Sequence, residues 1–426
     1  MENLSYDMIR HISEYLPLPS ARRTSSLFNI VEEDIEENRI RRYKEEYGIV
    51  DKAVKAKDWD AVLFMLHHQF HVRQPIYVIE CIGESGHKRV IEEIIEKYGG
   101  DVVDYIAYSA AKVGHRDIVY WMISRGTDAY NIIAEKAAYG GYRDIVEEMI
   151  SLGASDYKSI AMYAAEKGHL DIIEWMDQLT TLDVNIIASM AALGGYRDIV
   201  EWMISRGADQ YDDIASSAAR GGYTSMVEWI LNDKGEYMAT DEYNRIATYA
   251  AEGGHLDILE WMIALGADDY YLMAEAAAQN GHINIIEFLI SLGYNNYDEI
   301  IYYAVSGGSL NVIKYITPLV VYNYNNVAYR AAGLDYIDIV RYMIELGANN
   351  YSSIAYYAFE RKNTDIYEYM LSLGVTYDDI AYIATKNCDT FVLKEMIQLG
   401  ASDYDRMISG AIEGDCVYLL VDIIPE

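Results

Sequence analysis

Cysteine and proline are scarce in this chain of 426 residues, with three and five copies. Cys81, Cys388 and Cys416 are odd in number, far apart and not in a CxxC pair. They predict neither a metal knuckle nor a disulfide framework, and they fit a reducing compartment. Positive charge is also short: 34 Lys and Arg stand against 67 Asp and Glu, a formal charge of −33. A surface that acidic repels phosphate backbones and anionic headgroups, so neither nucleic acid nor membrane is an expected partner. No apolar run approaches the roughly 18 residues a membrane span needs. The start, MENLSYDMIRHISEYLP, carries acids where a secretory leader carries bases. Apolar residues make up 52%, which is enough for a core and excludes a disordered chain. The expectation is a soluble, acidic, intracellular and largely helical protein.

What the sequence does have is repetition. The phrase AA-x-x-G-H/Y-x-D-I-V-E-W-M-I-S-x-G-A recurs along most of the chain. With the Gly before His/Tyr as anchor, copies fall at Gly86, Gly114, Gly141, Gly168, Gly195, Gly222, Gly254, Gly281 and Gly308. Degenerate copies follow at Asp335, Lys362, Cys388 and Asp415, and an early one sits at Lys57. Nine of the thirteen spacings are 27 residues, and the longest gap holds an insertion around 232–241. So short a period means that each copy is one supersecondary unit stacked on its neighbours.

Each copy reads as two helices. In 194–207, apolar residues lie 4, 5, 8 and 9 after the anchor. With the Trp at +7 they span an arc of roughly 200°, as suits a helix wedged between neighbours on both sides. Asp at +3 (Asp117, Asp144, Asp171, Asp198, Asp257) complements the helix N-terminus, and Gly at +12 caps the C-terminus. The partner helix, as in 211–219, carries an alanine stripe that permits close approach. The predicted fold is all-α, a solenoid of about fourteen short helix-turn-helix repeats.

The run 164–176, AAEKGHLDIIEWM, with its Gly-Ala endings elsewhere, resembles the ankyrin repeat pattern A-A-x-x-G-H-x-x-I-V-x-x-L-L-x-x-G-A. The resemblance covers residues 47–426. The Thr-Pro-Leu-His start is absent, and the unit is about six residues shorter than an ankyrin repeat. The missing residues fall where ankyrin repeats carry a β-hairpin finger, so the expectation is an array mostly without fingers.

Residues 1–46 stand outside the repeat. Leu4, Met8, Ile9, Ile12 and Leu16 form a helical stripe, stopped by Pro17 and Pro19. Ser25 and Phe28 follow, then a charged helix over 32–46. Short helix, Leu-Pro break, Ser and aromatic is similar to the F-box, with Ser5 in place of the customary early proline. That resemblance implies docking of Leu4, Met8, Ile9, Ile12, Leu16, Pro17 and Phe28 on the ubiquitin-ligase adaptor Skp1. It would make the chain an adaptor presenting a target protein held by the repeats. The combination looks like proteins of large DNA viruses, which implies a host cytoplasmic location. The other reading makes 1–46 a helical cap and the protein a binding scaffold or decoy with no ligase link.

Chemistry is not legible. No nucleophile–base arrangement, phosphate loop or metal motif is visible, so no enzyme activity and no cofactor or metal is expected. His67, His68 and His71 lack a further ligand at motif spacing. Five periodic histidines after the anchor (His87, His115, His169, His255, His282) read as turn residues bonded to backbone, and the +7 tryptophans as packing between repeats. Position −6 varies more: Glu135, Met162, Ser189 and Ser216 early, Tyr302, Tyr329, Tyr356 and Tyr382 late, with Tyr303, Arg330 and Tyr357 adjacent. Tyr and Arg are enriched at binding hot spots, so this ladder is the expected partner surface of a monomer. The competing reading is a tyrosine stack that holds the array together.

Overall fold

The computed structural model describes residues 39–47, 49–68, 75–234 and 239–416. Leu4, Met8, Ile9, Ile12, Leu16, Pro17 and Phe28 lie outside the described residues, as does His71. Among the described residues every regular element is a helix and no strand occurs. None of those helices is long and apolar enough to cross a membrane. The chain forms two compact units, residues 1–187 and 188–426, and each is a solenoid of repeated helical hairpins.

The copy anchored at Gly141 shows the unit. Its first helix, Tyr130–Gly140, buries Ile133, Ala134, Ala137 and Ala138. Its second, Arg143–Ser151, buries Ile145, Val146 and Met149, the +4, +5 and +8 positions. The +9 position is half-buried, as at Ile150, so the core stripe is narrower than the sequence pattern suggests. Alanines are small enough for consecutive first helices to pack backbone against backbone, while the isoleucines supply most of the buried area. Each fully buried isoleucine contributes about 1.5–3 kcal/mol of transfer free energy. The +7 tryptophans are half-buried, and four lie under guanidinium groups: Arg125 over Trp121, Arg206 over Trp202, Arg143 over Trp175 and Arg197 over Trp229.

Two reversals make the hairpin. At the anchor the backbone turns left-handed in all fourteen copies, the five non-glycine anchors having φ of 56–65°. This lets the two N–H groups at the turn reach back into the last turn of helix. His169 N–H donates to Ala164 O at 2.9 Å and Gly168 N–H to Ala165 O at 3.2 Å. At +12 a second left-handed glycine, such as Gly153 at φ 119°, closes the second helix. There Ala154 N–H donates to Met149 O at 2.9 Å, and its methyl group is buried, which is why the repeat ends in Gly-Ala.

Without fingers, the inter-repeat loops are held by one side chain. Asn131 Oδ1 accepts from the backbone N–H groups of Ser155 and Asp156 at 2.7 and 3.1 Å. Asn244, Asn325 and Asp378 do the same one repeat on from themselves. These bonds satisfy donors that a β-hairpin would otherwise pair.

The histidine after the anchor ties neighbouring turns together. His169 packs its ring over Gly141, and His282 packs over Gly254, each filling the space a Cβ would need. The Nε2 of His115 lies 3.0 Å from Glu84 O, that of His169 3.2 Å from Tyr139 O, and that of His282 3.0 Å from Glu252 O. A carbonyl only accepts, so Nε2 carries the proton in each. The turn role expected from the sequence therefore holds for these residues.

The same register corrects the cysteine reading. Cys388 is an anchor and Cys416 is the residue after the next anchor, so the stacking that sets His169 over Gly141 sets Cys416 over Cys388. Their Cα atoms are 5.6 Å apart and the pair forms a disulfide. Sequence distance hid a pairing that the repeat imposes. Cys81 is free and half-buried.

Candidate functional site

The −6 and −5 positions sit on first helices, beside the alanine stripe. In helices Tyr297–Ser306, Tyr324–Gly333 and Tyr351–Glu360 they form one cluster in the second unit. Tyr302 is 48% exposed, and its ring carries the Arg330 guanidinium 3.3 Å from the ring centre. Arg330 Nη2 also donates to Ser306 Oγ at 2.8 Å. Tyr303 stands edge-on to Tyr302, with centroids 5.2 Å apart, and its hydroxyl lies 2.6 Å from that of Tyr271. That hydrogen bond, with some burial and the nearby Glu275, raises the Tyr303 pKa well above the ordinary phenol range. Tyr329 and Tyr357 stack at 5.2 Å with an interplanar angle of 29°, and Tyr329 donates to Asn326 Oδ1 at 2.6 Å. Burial, then the neighbouring Tyr357, raises the Tyr329 pKa, so the Tyr329 hydroxyl stays a neutral donor at any ordinary pH.

Two members of the expected ladder do not join this cluster. Tyr356 is buried, with its hydroxyl donating to Asp389 Oδ2 at 3.0 Å. It is therefore not a surface residue, which corrects its assignment to a partner-binding face. At −6 a side chain lies close to the following first helix, and Tyr356 is long enough to pass beneath it and reach the next turn. Tyr382 belongs to a separate polar group, donating to Glu413 Oε2 at 2.8 Å beside Lys386 and below Arg406. Tyr329 and Tyr357 are stacked, as the competing reading has it, while Tyr302 projects.

The cluster borders an open recess of about 610 Å³ whose lining adds Tyr322, Leu334 and Arg361. Sequence reasoning missed these three. Arg361 occupies −1 of a degenerate copy, and Tyr322 lies in the loop before a first helix, so neither stands out by period. His67 lies 3.6 Å from Glu93 in the first unit, and no group of three possible metal ligands occurs among the described residues.

No known protein family matches this chain, and no curated protein does. Among solved structures it is similar to the pentatricopeptide repeat protein PPR10 in complex with an 18-nucleotide psaJ RNA element. That match has 11% identity over 98% of this chain and 82% of the other, with a TM-score of 0.26. A second is PPR10 from maize, at 12% identity over 99% and 88%, with a TM-score of 0.24. Superpositions this loose do not carry over what those proteins bind.

Proposed function

We propose that the chain is a protein-binding scaffold that performs no chemistry itself, its ankyrin-like repeats holding a partner on the first-helix face of the second unit. The observation that carries this is the departure from uniformity there. The −6 position, which varies freely elsewhere, becomes Tyr302 and Tyr329, and with Arg330 at −5 they border a recess with the residue types that dominate interface energetics. The test of this surface compares proteins retained by the wild-type chain and by a Tyr302→Ala, Tyr329→Ala, Tyr357→Ala variant of equal stability. Loss of a specific partner in the variant supports the surface, and identical sets place binding elsewhere.

We further propose that residues 1–46 act as an F-box-like segment, so that the scaffold brings its partner to a Skp1-containing ubiquitin ligase. Tethering would raise the effective concentration of one protein at the other. The similarity of Leu4, Met8, Ile9, Ile12 and Leu16 to the F-box pattern is its support. Purified Skp1 should be captured by the full chain and lost with Leu16→Asp. No capture by the intact chain would make residues 1–46 a cap and the protein a scaffold or decoy.

A further inference from the structure

Several cations of this acidic chain are paired with carboxylates, and the recess beside Tyr302 holds two that are not. Elsewhere cations bridge successive repeats to carboxylates: Arg116 to Asp144 at 3.2 Å, Arg220 to Glu252 at 2.6 Å, Arg406 to Asp379 at 2.7 Å. A second recess, of about 280 Å³, carries its own acids, and Lys112 is bound to Glu84 there at 2.7 Å. The recess beside Tyr302 has two arginines in its lining and no carboxylate. Arg330 bonds to a neutral hydroxyl and a ring, and Arg361 is exposed, neither forming an ion pair among the described residues. With acids outnumbering bases 67 to 34, two guanidiniums without an ion pair form a local positive island here, bordered by Asp298, which acts electrostatically on Tyr322.

The chemistry of that island is specific. A guanidinium has five N–H donors in one plane and matches a carboxylate with two parallel bonds. Arg330 lies over Tyr302, which shields a face and leaves edge donors unused beyond the one on Ser306. Stacked Tyr329 and Tyr357, with Leu334 at 44% exposure, provide an aromatic and apolar wall within reach of the same opening. Charge, ring and apolar ledge together suit one acidic side chain beside one apolar side chain. A polyanion would meet the chain's −33 charge over its whole length, whereas a single carboxylate senses mainly the pair within a Debye length of about 8 Å.

We propose that this recess binds a protein segment through an aspartate or glutamate held by Arg330 and Arg361, with a neighbouring apolar side chain against Tyr329, Tyr357 and Leu334. The inference rests on the repeat array being a protein-binding scaffold and names the chemistry of its ligand.

The test uses the full chain and three fluorescein-labelled probes read by polarisation. One is a capped dodecapeptide with two Glu-Leu pairs, one is the same peptide with glutamine for glutamate, and one is an oligouridylate of equal length. The glutamate peptide should bind about tenfold more tightly than the glutamine peptide, as one charge-assisted pair is worth roughly that factor. Arg361→Gln should remove about the same tenfold without altering the melting temperature, because the side chain is exposed and unpaired. Arg330→Gln should remove a similar factor in affinity, and Lys394→Gln, on another repeat, should change nothing. Equal binding of the two peptides, indifference to Arg361→Gln, or tighter arginine-dependent binding of the oligouridylate would each overturn the proposal. So would an absence of binding by both peptides. Failure here with partner loss in the triple tyrosine variant would leave the scaffold reading intact, whereas failure of both would remove this face as the binding surface.

Discussion

The turns from Gly114 to Gly308 and those from Asp335 to Asp415 trace the same left-handed backbone with different residues. In the first group glycine adopts φ of 71–85° without steric penalty; in the second, Asp335, Lys362, Cys388 and Asp415 adopt 58–65° at a cost of about 1–2 kcal/mol each. The hairpin thus imposes the turn whether or not the residue favours it, because the helices on either side bury an Ile and Ala stripe that only this reversal brings together. The late repeats recover stability by other means. Asn363 Nδ2 reaches Ala332 O at 2.7 Å where a histidine stands earlier, and Cys388 is joined to Cys416. Part of this less regular stretch also carries the Tyr and Arg recess. Repetition marks the residues that stack, and its relaxation marks where other pressures act.

Breaking the disulfide should have the largest effect. Cys388 and Cys416 are 28 residues apart, and closing a loop of that length contributes about 2–4 kcal/mol. Cys416→Ser, or reduction, should lower amide-exchange protection in Tyr377–Lys386 and Tyr404–Glu413 while leaving Tyr130–Gly140 unchanged. A loss shared equally by all repeats would contradict nearest-neighbour stacking.

Gly141→Ala should cost about 2–3 kcal/mol, from left-handed strain and from the Cβ meeting the His169 ring. Denaturant unfolding measures it, and a neutral result would show that the stack of ring on turn is not tight. The reverse exchange sharpens the comparison: Lys362→Gly should stabilise by about 1 kcal/mol, read as a higher denaturation midpoint.

The smallest effect concerns acid. Burial pushes the Asp379 carboxyl up, but the Thr376 backbone N–H, the Thr376 hydroxyl and Arg406 outweigh it and hold its pKa below the ordinary value. A depressed folded pKa contributes stability above the unfolded value of about 3.9 and loses it as pH falls through the folded value. The gap in melting temperature between wild type and Asp379→Asn should therefore be constant from pH 7 to about 5 and shrink below about 4. A gap that widens in acid would reverse the sign of the coupling.

Much of this was legible in the residues. Fourteen anchors read from the sequence are fourteen left-handed turns, including Lys57, Asp335, Lys362, Cys388 and Asp415, where no glycine marks the place. The Ile-Ala stripe and the Gly-Ala ending predicted the two helices and their second cap. The site was legible only in part. Tyr302, Tyr303, Tyr329, Arg330 and Tyr357 stand together as their shared register implies, yet the same register led to Tyr356, which is buried against Asp389. Period tells which helix and which rung a side chain occupies, but whether a long side chain projects or passes under the next helix depends on the neighbour's size.

The sequence by itself determined the helical pair, its repeat and its turns, because those depend on local backbone preference and on apolar spacing within 27 residues. The pairing of Cys388 with Cys416, the burial of Tyr356 and the meeting of Arg361 with Arg330 were decided only by tertiary structure. Each depends on what the adjacent repeat places one layer away, and stacking brings together side chains that period alone leaves about thirty residues apart.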